Sequence, residues 1–267
     1  MRICVLLSCM FQKNHEIIEK SNISTDCVVV NQCDNNFVEN FVYINKQDKR
    51  CNIRFIHTTE RGLSKSRNLA IKNAPDDSIC LICDDDEVLS ETYEQDILST
   101  YNKSPEASII TFALKKENGT DFKKISDGLS ILNIRKILQT SSVQITFSKQ
   151  FVVSNGIIFD EKMGSGTGNG SGEETKFLFD VRKSRGKMYS SSKYIGILLD
   201  GESKWFHGYT EQYMRNRGWV VRRSMGFSLG ILYLTYWIFS HVTLFINDIS
   251  LYNTLINAYR GFFEKRL

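Results

Sequence analysis

The feature that most constrains the fold of this chain is an apolar run that ends directly in a row of acids. The run Ser78–Cys83 follows a turn signal at residues 75–77 and precedes the acidic turn, Asp84–Glu87. Such a run is typical of a strand buried on both faces of a parallel sheet. Because desolvated like charges repel each other, we expect all four acids in a solvated crevice at the sheet edge, neutralised by a divalent cation. The alternative is a helix N-terminus, whose dipole favours acids.

The first half of the chain alternates apolar runs with polar or helical connections. Strands are predicted at Ile3–Ser8, Cys27–Val30, Asn52–His57 and Ser78–Cys83. A helix is predicted over Gly62–Ala74, with Ser64 as its N-cap and Pro75 as its stop. This alternation is typical of an α/β fold with a doubly wound, mostly parallel sheet.

The second half is less regular. Strands are predicted at Ala107–Leu114, within Gln150–Phe159 and at residues 187–199, and a helix at Glu173–Val181. Before that helix lies the glycine loop, Gly164–Gly172, which has five glycines in nine residues. A segment of this composition cannot pack a core, so it is either a flexible linker or a mobile functional loop.

The character of the sequence changes after about residue 203, and we predict a catalytic domain at 1–203 and a helical extension at 204–267. Residues 225–246 contain no Asp, Glu, Lys or Arg and follow a cluster of four arginines. Three interpretations fit: a membrane-spanning helix, a buried helix or homo-oligomer interface, and an interfacial segment that faces anionic lipid. The arginines favour contact with the cytoplasmic side of the membrane.

Composition limits the function and the compartment. The net charge of +4 is too small and too evenly spread to indicate nucleic-acid binding. Seven scattered cysteines, an odd number, indicate a reducing compartment. Cys80 and Cys83 lie three residues apart on a predicted strand, where they point to opposite faces and cannot share a metal.

Arg67 is predicted to point inward. It shares one helical face with Leu63, Ala70, Ile71 and Ala74, which are apolar and must pack on the sheet. A buried guanidinium needs an anion. That anion is either the acidic turn, in a purely structural ion pair, or a ligand's phosphate or base, because the planar guanidinium suits paired oxygens.

The acidic turn fits two kinds of chemistry. Asp84 to Val88 is similar to the D-x-D-x-[TV] signature of haloacid dehalogenase-type phosphatases, with Asp84 as nucleophile and Asp86 as general acid. That chemistry also needs a later acidic pair, whereas the aspartates after the turn are solitary. In the second interpretation Asp86 holds Mn²⁺ or Mg²⁺ against the diphosphate of a nucleotide-sugar, and Asp84 shares the metal or reaches the ribose.

Four motifs, in order, resemble those of family 2 glycosyltransferases with the GT-A fold. Glu60–Ala70 is similar to N-x-G-x-x-x-A-R-N-x-G, and residues 75–87 are similar to hhh-D-x-D-D. Phe159–Glu161, followed by the glycine loop and Gly172–Glu174, resembles the acceptor-side pattern F-D-E … G-E-D. The resemblance covers about residues 1 to 215, and the ordered set is far more specific than D-x-D alone.

The resemblance implies donor-side roles for six residues: Asn31, Asp34, Arg67, Asp84, Asp85 and Asp86. Asn31 stands where the family usually has an Asp that recognises the nucleotide base, and Asp34 lies three residues further on. Arg67 matches the Arg of A-R-N and would line the nucleotide pocket. Asp84 and Asp86 match the two D-x-D aspartates, with Asp86 as the main metal ligand.

The resemblance also implies an acceptor side. Glu174 stands where the family has its Asp general base, and Glu173 matches the preceding acid. Both are candidates for the base, with Glu174 preferred. The late metal-binding His of many members is missing from the last predicted strand, and the nearest His is His207.

These assignments imply an inverting glycosyltransferase that uses Mn²⁺ or Mg²⁺. It would transfer a sugar from a nucleotide-sugar donor to a hydroxyl of a saccharide or lipid-linked saccharide in surface polysaccharide synthesis. The expected location is the cytoplasm, with peripheral attachment to the inner face of the cell membrane. Two alternatives remain open: the Mg²⁺-dependent phosphatase and a non-catalytic membrane-docking subunit.

Overall fold

One mixed sheet forms the centre of the computed structural model, which describes residues 1–125, 127–169, 171–199 and 208–265. Its strands are β1 (Arg2–Met10), β2 (Asp26–Gln32), β3 (Phe37–Ile44), β4 (Arg50–Thr58), β5 (Ser78–Asp84), β6 (Glu87–Leu89), β7 (Ala107–Lys116), β8 (Leu129–Ile131), β9 (Ile145–Ser148) and β10 (Lys187–Leu198). The order across the sheet is β3-β4-β2-β1-β5-β9-β7-β10-β6, and β8 pairs with β10. Strands β4, β2, β1 and β5 are parallel, so their carboxyl ends meet at one edge.

Helices cover both faces of this sheet. They are α1 (Glu16–Lys20), α2 (Leu63–Asn73), α3 (Tyr93–Lys103), α4 (Ile134–Ile137), α5 (Lys149–Ser154) and α6 (Glu173–Lys183). Side chains of α1 and α3 pack with Cys83 on one face, whereas those of α2, α5 and α6 pack with Cys80 on the other. The two cysteines thus point to opposite faces, as their spacing predicts. All seven cysteines are free and buried.

Most predicted elements are present, and two regions differ. Strand β3 was not predicted; it forms an antiparallel hairpin with β4, with most of its residues exposed. The predicted strand within Gln150–Phe159 is wrong, because α5 begins at Lys149. Ser148 Oγ accepts a hydrogen bond from Phe151 N at 3.3 Å and so caps this helix.

Four further helices follow: α7 (Glu211–Met225), α8 (Phe227–Ser240), α9 (Val242–Phe245) and α10 (Leu251–Phe263). They share an apolar cluster of their own that includes Met214, Leu234 and Phe262. Helices α7 and α10 cross in close contact. A Cβ on Gly218 would lie 1.8 Å from Ala258 O, and one on Gly261 would lie 1.8 Å from Arg215 O.

Helices α8 and α10 run antiparallel beside each other. Phe227, at the start of α8, contacts the ring of Phe263 at the end of α10, with the ring centroids 6.2 Å apart. Near the middle, Thr235 Oγ1 and Tyr259 Oη are hydrogen-bonded at 2.6 Å. The apolar residues 225–246 are therefore divided between α8 and α9. Within the described ranges, no helix has the length and apolar character needed to cross a membrane.

Candidate active site

The acidic turn lies at the carboxyl end of β5, where strands β1 and β2 also end. Asp85 and Asp86 are exposed, yet partial burial and the charge of Asp84 raise the pKa of both. The expectation that all four acids are solvated is wrong for Glu87, which is buried at the start of β6. Burial, with Asp84 nearby, raises the pKa of Glu87 well above its usual range. A protonated carboxyl group carries no charge, and this makes its burial tolerable.

Arg67 connects the acidic turn to helix α6. Its side chain is buried, as its place on the inward face of α2 predicts. Nη2 lies 3.0 and 3.2 Å from the two carboxylate oxygens of Asp84 and donates to Ser142 Oγ at 2.8 Å. Nη1 donates to Glu173 Oε1 at 3.0 Å. Burial lowers the pKa of Arg67, but Asp84 and Glu173 more than offset this and raise it. These contacts match the structural ion pair between Arg67 and the acidic turn, which the sequence left open as one alternative. They also add Glu173 as a second acidic partner.

Glu173 is held through both of its oxygens. Besides the contact of Oε1 with Arg67, Oε2 accepts a hydrogen bond from Gly172 N at 3.1 Å. Gly164 of the glycine loop approaches the same carboxylate from the other side. A Cβ on Gly164 would lie 3.1 Å from Glu173 Cδ and 3.2 Å from Ser64 Oγ. The start of the glycine loop is therefore packed against the ion pair.

The same loop also contacts the start of α2. Ser64 Oγ donates to Met163 O at 2.8 Å, and Leu63 N donates to Ser165 O at 3.2 Å. The predicted N-cap role of Ser64 is wrong, because α2 begins at Leu63, two residues earlier than a Ser64 cap would require, and Gly62 is its N-cap. The Ser64 hydroxyl holds the chain that enters the glycine loop instead.

Glu174 is the second residue of helix α6, directly after Glu173, and lines a cavity of 440 Å³ between α6 and α7. Burial raises the pKa of Glu174 to about 8, helped by the neighbouring charge of Glu173. Arg67 and Lys123 oppose this rise. Glu174 is therefore a carboxyl group that can hold or release a proton near neutral pH and that faces open space.

The two residues assigned to the nucleotide base have different surroundings. Asn31 is buried at the end of β2, where its amide group is paired with the main chain of Gln12 at 2.9 and 3.0 Å. Asn31 Nδ2 also lies 3.3 Å from His57 Nδ1. Asp34 is exposed and accepts a hydrogen bond from Arg61 Nη2 at 2.8 Å. The Asn31 side chain thus fixes the segment that follows β1 along the rim of the crevice.

A comparison of the sequence with protein-family models identifies its family. The model described as "Glycosyl transferase family 2" matches residues 16–159, which is more than half of the chain. The chain belongs to glycosyl transferase family 2. It is therefore a glycosyltransferase, and this membership does not support the phosphatase and docking-subunit alternatives. No curated protein matches the sequence.

Crystal structures of Staphylococcus aureus TarS share the fold of this family 2 glycosyltransferase. The complex of TarS residues 1–349 with UDP-GlcNAc has a TM-score of 0.64 and 16% identity, and the match covers 97% of this chain and 79% of that one. The same fragment in complex with UDP gives a TM-score of 0.63 at 15% identity, with coverages of 98% and 80%. The predicted α/β GT-A fold with a helical extension is confirmed.

Family 2 enzymes generally depend on a divalent metal ion, and the acidic turn can be tested for such an ion. Asp84, Asp85 and Asp86 are adjacent carboxylates, and partial burial together with the charge of Asp84 raises the pKa of Asp85 and Asp86, so a cation would favour their charged forms. Across the described residues, no three metal-binding side chains converge on one point. One or two carboxylates without a complete protein cage suit a metal ion that substrate phosphates also bind. The residues present therefore fit a metal that enters with the donor.

Two residues of the site were not predicted from the sequence. Ser142 contacts Arg67 across 75 positions, and its sequence neighbourhood contains no signal for this contact. Burial lowers the pKa of Lys123, and the charge of Glu174 opposes this. Its Nζ donates to Gln139 O at 2.6 Å. His207, the candidate for the missing metal-binding His, lies outside the described residues.

Proposed function

We propose that this glycosyltransferase inverts the anomeric carbon of a sugar that it transfers from a nucleotide-diphosphate donor to a hydroxyl of a saccharide or lipid-linked saccharide. Surface polysaccharide synthesis is the proposed context. The observation that carries the proposal is the ion pair of Arg67 with Asp84 and Glu173. It places the acids suited to a metal and diphosphate next to an acid pair suited to proton removal.

The donor side consists of the edge where β1, β2 and β5 end. Asp86 is the proposed main ligand of Mn²⁺ or Mg²⁺, with Asp84 and Asp85 beside it. A bound divalent ion would stabilise the negative charge of the departing diphosphate. Arg67 is too buried to reach a ligand and acts by fixing the direction of Asp84. Because crystal structures of TarS contain UDP-GlcNAc and UDP, a uridine nucleotide is the first donor to test.

The acceptor side consists of α6 and the cavity beside it. Glu174 is the proposed general base, because Glu173 is already engaged through both oxygens. Glu174 takes the proton of the acceptor hydroxyl, and the hydroxyl oxygen forms a bond to the anomeric carbon. The bond from that carbon to the diphosphate oxygen breaks on the opposite side, and the electron pair leaves with the diphosphate. One displacement of this kind inverts the carbon.

The C-terminal helices are the proposed membrane-binding part, residues 204–267, added to a catalytic domain at 1–203. Helices α8 and α10 together form an apolar face made of Leu229, Leu232, Tyr236, Phe239, Tyr252, Ile256 and Phe263, all of them exposed. The contacts of Phe227 with Phe263 and of Thr235 with Tyr259 hold α8 and α10 side by side, and we treat their exposed apolar residues as one surface.

Charge decides which partner this apolar face suits. Neither α8 nor α10 contains an acidic residue, and Arg222 and Arg260 are exposed at or beside the face. Two copies of a surface with this charge would repel each other, whereas an anionic lipid surface would attract it. We therefore favour peripheral attachment to the inner face of the cytoplasmic membrane over a homo-oligomer interface.

Calorimetric titration with a panel of nucleoside diphosphates, with and without Mn²⁺, tests the donor side. We expect metal-dependent binding by the wild type and its loss in Asp86→Ala, because Asp86 supplies a metal ligand. Asp127→Ala removes an exposed acid outside the acidic turn and should bind the diphosphates as the wild type does. Absence of metal-dependent diphosphate binding by the wild type would contradict the proposed function.

A further inference from the structure

The cavity beside Glu174 has a second wall, formed by helix α7. Six residues that contribute to its lining are Gly172, Glu174, Tyr213, Arg217, Val220 and Ser224. The four from α7 recur at spacings of four, three and four residues, so they share one side of that helix. Asn216 Nδ2 lies 3.4 Å from Gly168 O, which brings α7 up to the glycine loop. Whatever reaches Glu174 through this cavity passes along α7.

Arg217 differs from two of the other three arginines on α7. Arg215 pairs with Glu264 at 2.8 Å, and Arg223 pairs with Asp160. Arg217 forms no ion pair with any described residue. Its guanidinium lies 3.4 Å above the ring of Trp237, and its Nη1 makes a long contact of 3.4 Å with a neighbouring tyrosine hydroxyl. A cation without a counter-charge at a cavity wall is suited to a ligand anion.

Two polar atoms on this wall are buried and lack a hydrogen-bond partner in the described structure: Arg217 Nε and Ser224 Oγ. Ser224 lies seven residues after Arg217, two helical turns further along the same side of α7. Buried donors without partners are costly, and each needs an explanation, of which a bound ligand is one. Both residues line the cavity.

We propose that this cavity binds an anionic group of the acceptor, a phosphate or a carboxylate, with Arg217 as its cation and Ser224 as a second hydrogen-bond donor. This inference rests on the proposed function, because it names the class of acceptor that Glu174 would deprotonate. The planar guanidinium, already held against Trp237, has the fork of N–H groups that pairs with two oxygens of one anion. Arg217 and Ser224 thereby select charged acceptors over neutral ones.

The arrangement is compatible with a base in the same cavity. An anion that approached Glu174 alone would make its deprotonation harder. An anion paired with Arg217 forms a neutral unit, so it leaves the electrostatic surroundings of Glu174 nearly unchanged. Arg217 therefore allows a charged acceptor to lie close to a carboxylate.

Ligand-observed NMR on the full chain, saturated with UDP and the diamagnetic ion Mg²⁺, tests this inference with three soluble probes. Glycerol 1-phosphate carries a phosphate, methyl glucuronide carries a carboxylate, and methyl glucoside is neutral. We expect at least one anionic probe to bind more tightly than the glucoside, and the tighter of the two identifies the anion. Arg217→Gln should weaken anion binding about tenfold or more, because it removes a charge-assisted pair. Ser224→Ala should weaken it less.

Matched variants separate charge loss from damage to the fold. Arg182→Gln removes the same charge from an exposed position on α6 and should bind the anions like the wild type. Arg217→Lys keeps the charge but not the planar guanidinium. Its affinity for the anionic probes should therefore lie between those of the wild type and Arg217→Gln. Unchanged UDP binding and melting temperature show that each variant is folded.

Two results would overturn the inference: anionic probes that bind no tighter than the glucoside, or an Arg217→Gln variant that binds them like the wild type. If the wild type binds UDP and either result is found, only the acceptor inference fails. If the wild type binds none of the nucleoside diphosphates in the calorimetric panel, the proposed function fails, and the same titrations without nucleotide still decide the role of Arg217.

Discussion

At the scale of single residues, the site gives two neighbouring acids different surroundings. Glu173 is held by Arg67 Nη1 at 3.0 Å and by Gly172 N at 3.1 Å. Glu174 faces a cavity, and burial raises its pKa to about 8. A carboxylate fixed by two hydrogen bonds can orient its surroundings, whereas one that faces open space can exchange a proton with a ligand. The sequence alone left both as candidates for the base.

The raised pKa of Glu174 predicts the pH dependence of transfer. A general base must be deprotonated, and Glu174 is protonated below its pKa, so kcat/KM should rise with pH and level off above about 8. The measurement is a pH–rate profile of the wild type and of Glu174→Gln, which should retain diphosphate binding and lose transfer. Unchanged turnover in Glu174→Gln would transfer the role to Glu173 or another group.

Removal of Arg67 should destabilise the fold. Arg67→Leu leaves Asp84 and Glu173 without their buried partner, at a cost of roughly 3–5 kcal/mol in the free energy of unfolding. Denaturant unfolding of the variant measures this cost. Lys72→Leu, at an exposed position on the same helix, should change the free energy by much less. Equal stabilities of the two variants would show that the Arg67 ion pair contributes nothing to the fold.

At the scale of elements, the start of the glycine loop is more closely packed than its composition predicts. From the sequence it was either a linker or a mobile functional loop. In the structure its first residue, Gly164, has φ of +94° and leaves room for the carboxylate of Glu173. Gly168 also has a positive φ, +72°, but a Cβ there would meet nothing within 4 Å. One glycine is needed for space and backbone shape, the other for backbone shape alone.

These two glycines form a matched pair of variants. Gly164→Ala and Gly168→Ala both impose a side chain on a left-handed backbone, a cost of about 1–2 kcal/mol each. Only Gly164→Ala also crowds Glu173, so it should lower kcat/KM about tenfold or more relative to Gly168→Ala. Steady-state kinetics with saturating donor measures the difference. Equal activities would mean that the position of Glu173 does not matter for transfer.

An element can be predicted from the sequence when the residues that determine it are neighbours along the chain. The buried parallel strands and α2 were predicted because continuous apolar runs and a single apolar helix face define them. Edge strand β3 was missed because Glu39 and Asn40 divide its apolar residues into two short runs, most of whose side chains are exposed. Helix α5 was mistaken for a strand because Val152 and its apolar neighbours suit either element, and the cap at Ser148 decides between them. The contact of Arg67 with Ser142 depends on the tertiary fold alone.

At the scale of the whole molecule, the chain has a catalytic crevice and an apolar face on different elements. The crevice lies where the parallel strands end, and the apolar face lies on α8 and α10. Helix α7 connects the two, because one of its sides lines the cavity and it packs against both α8 and α10. A glycosyltransferase attached through α8 and α10 would hold its acceptor cavity at a fixed orientation to the membrane.

Membrane attachment can be tested with two equally exposed residues. Leu232, on the apolar face, is 69% exposed, and Ile131, on β8, is 70% exposed. We expect Leu232→Asp to lower binding to anionic phospholipid vesicles about tenfold or more, because it removes an exposed apolar side chain that the lipid would bury and adds a charge that anionic lipid repels. Ile131→Asp, on β8, should bind the vesicles as the wild type does. Co-sedimentation measures both, and equal losses would exclude a specific role for α8.

The crossing of α7 and α10 has a consequence for tracing the ancestry of this chain. At Gly218 and at Gly261 a single methyl group would overlap a carbonyl oxygen of the opposite helix. A descendant or distant homologue can therefore retain this crossing only if both positions stay glycine, or if the two helices move apart together. The two glycines form a marker that should persist where overall similarity has been lost. Their joint absence should identify lineages with a different C-terminal architecture.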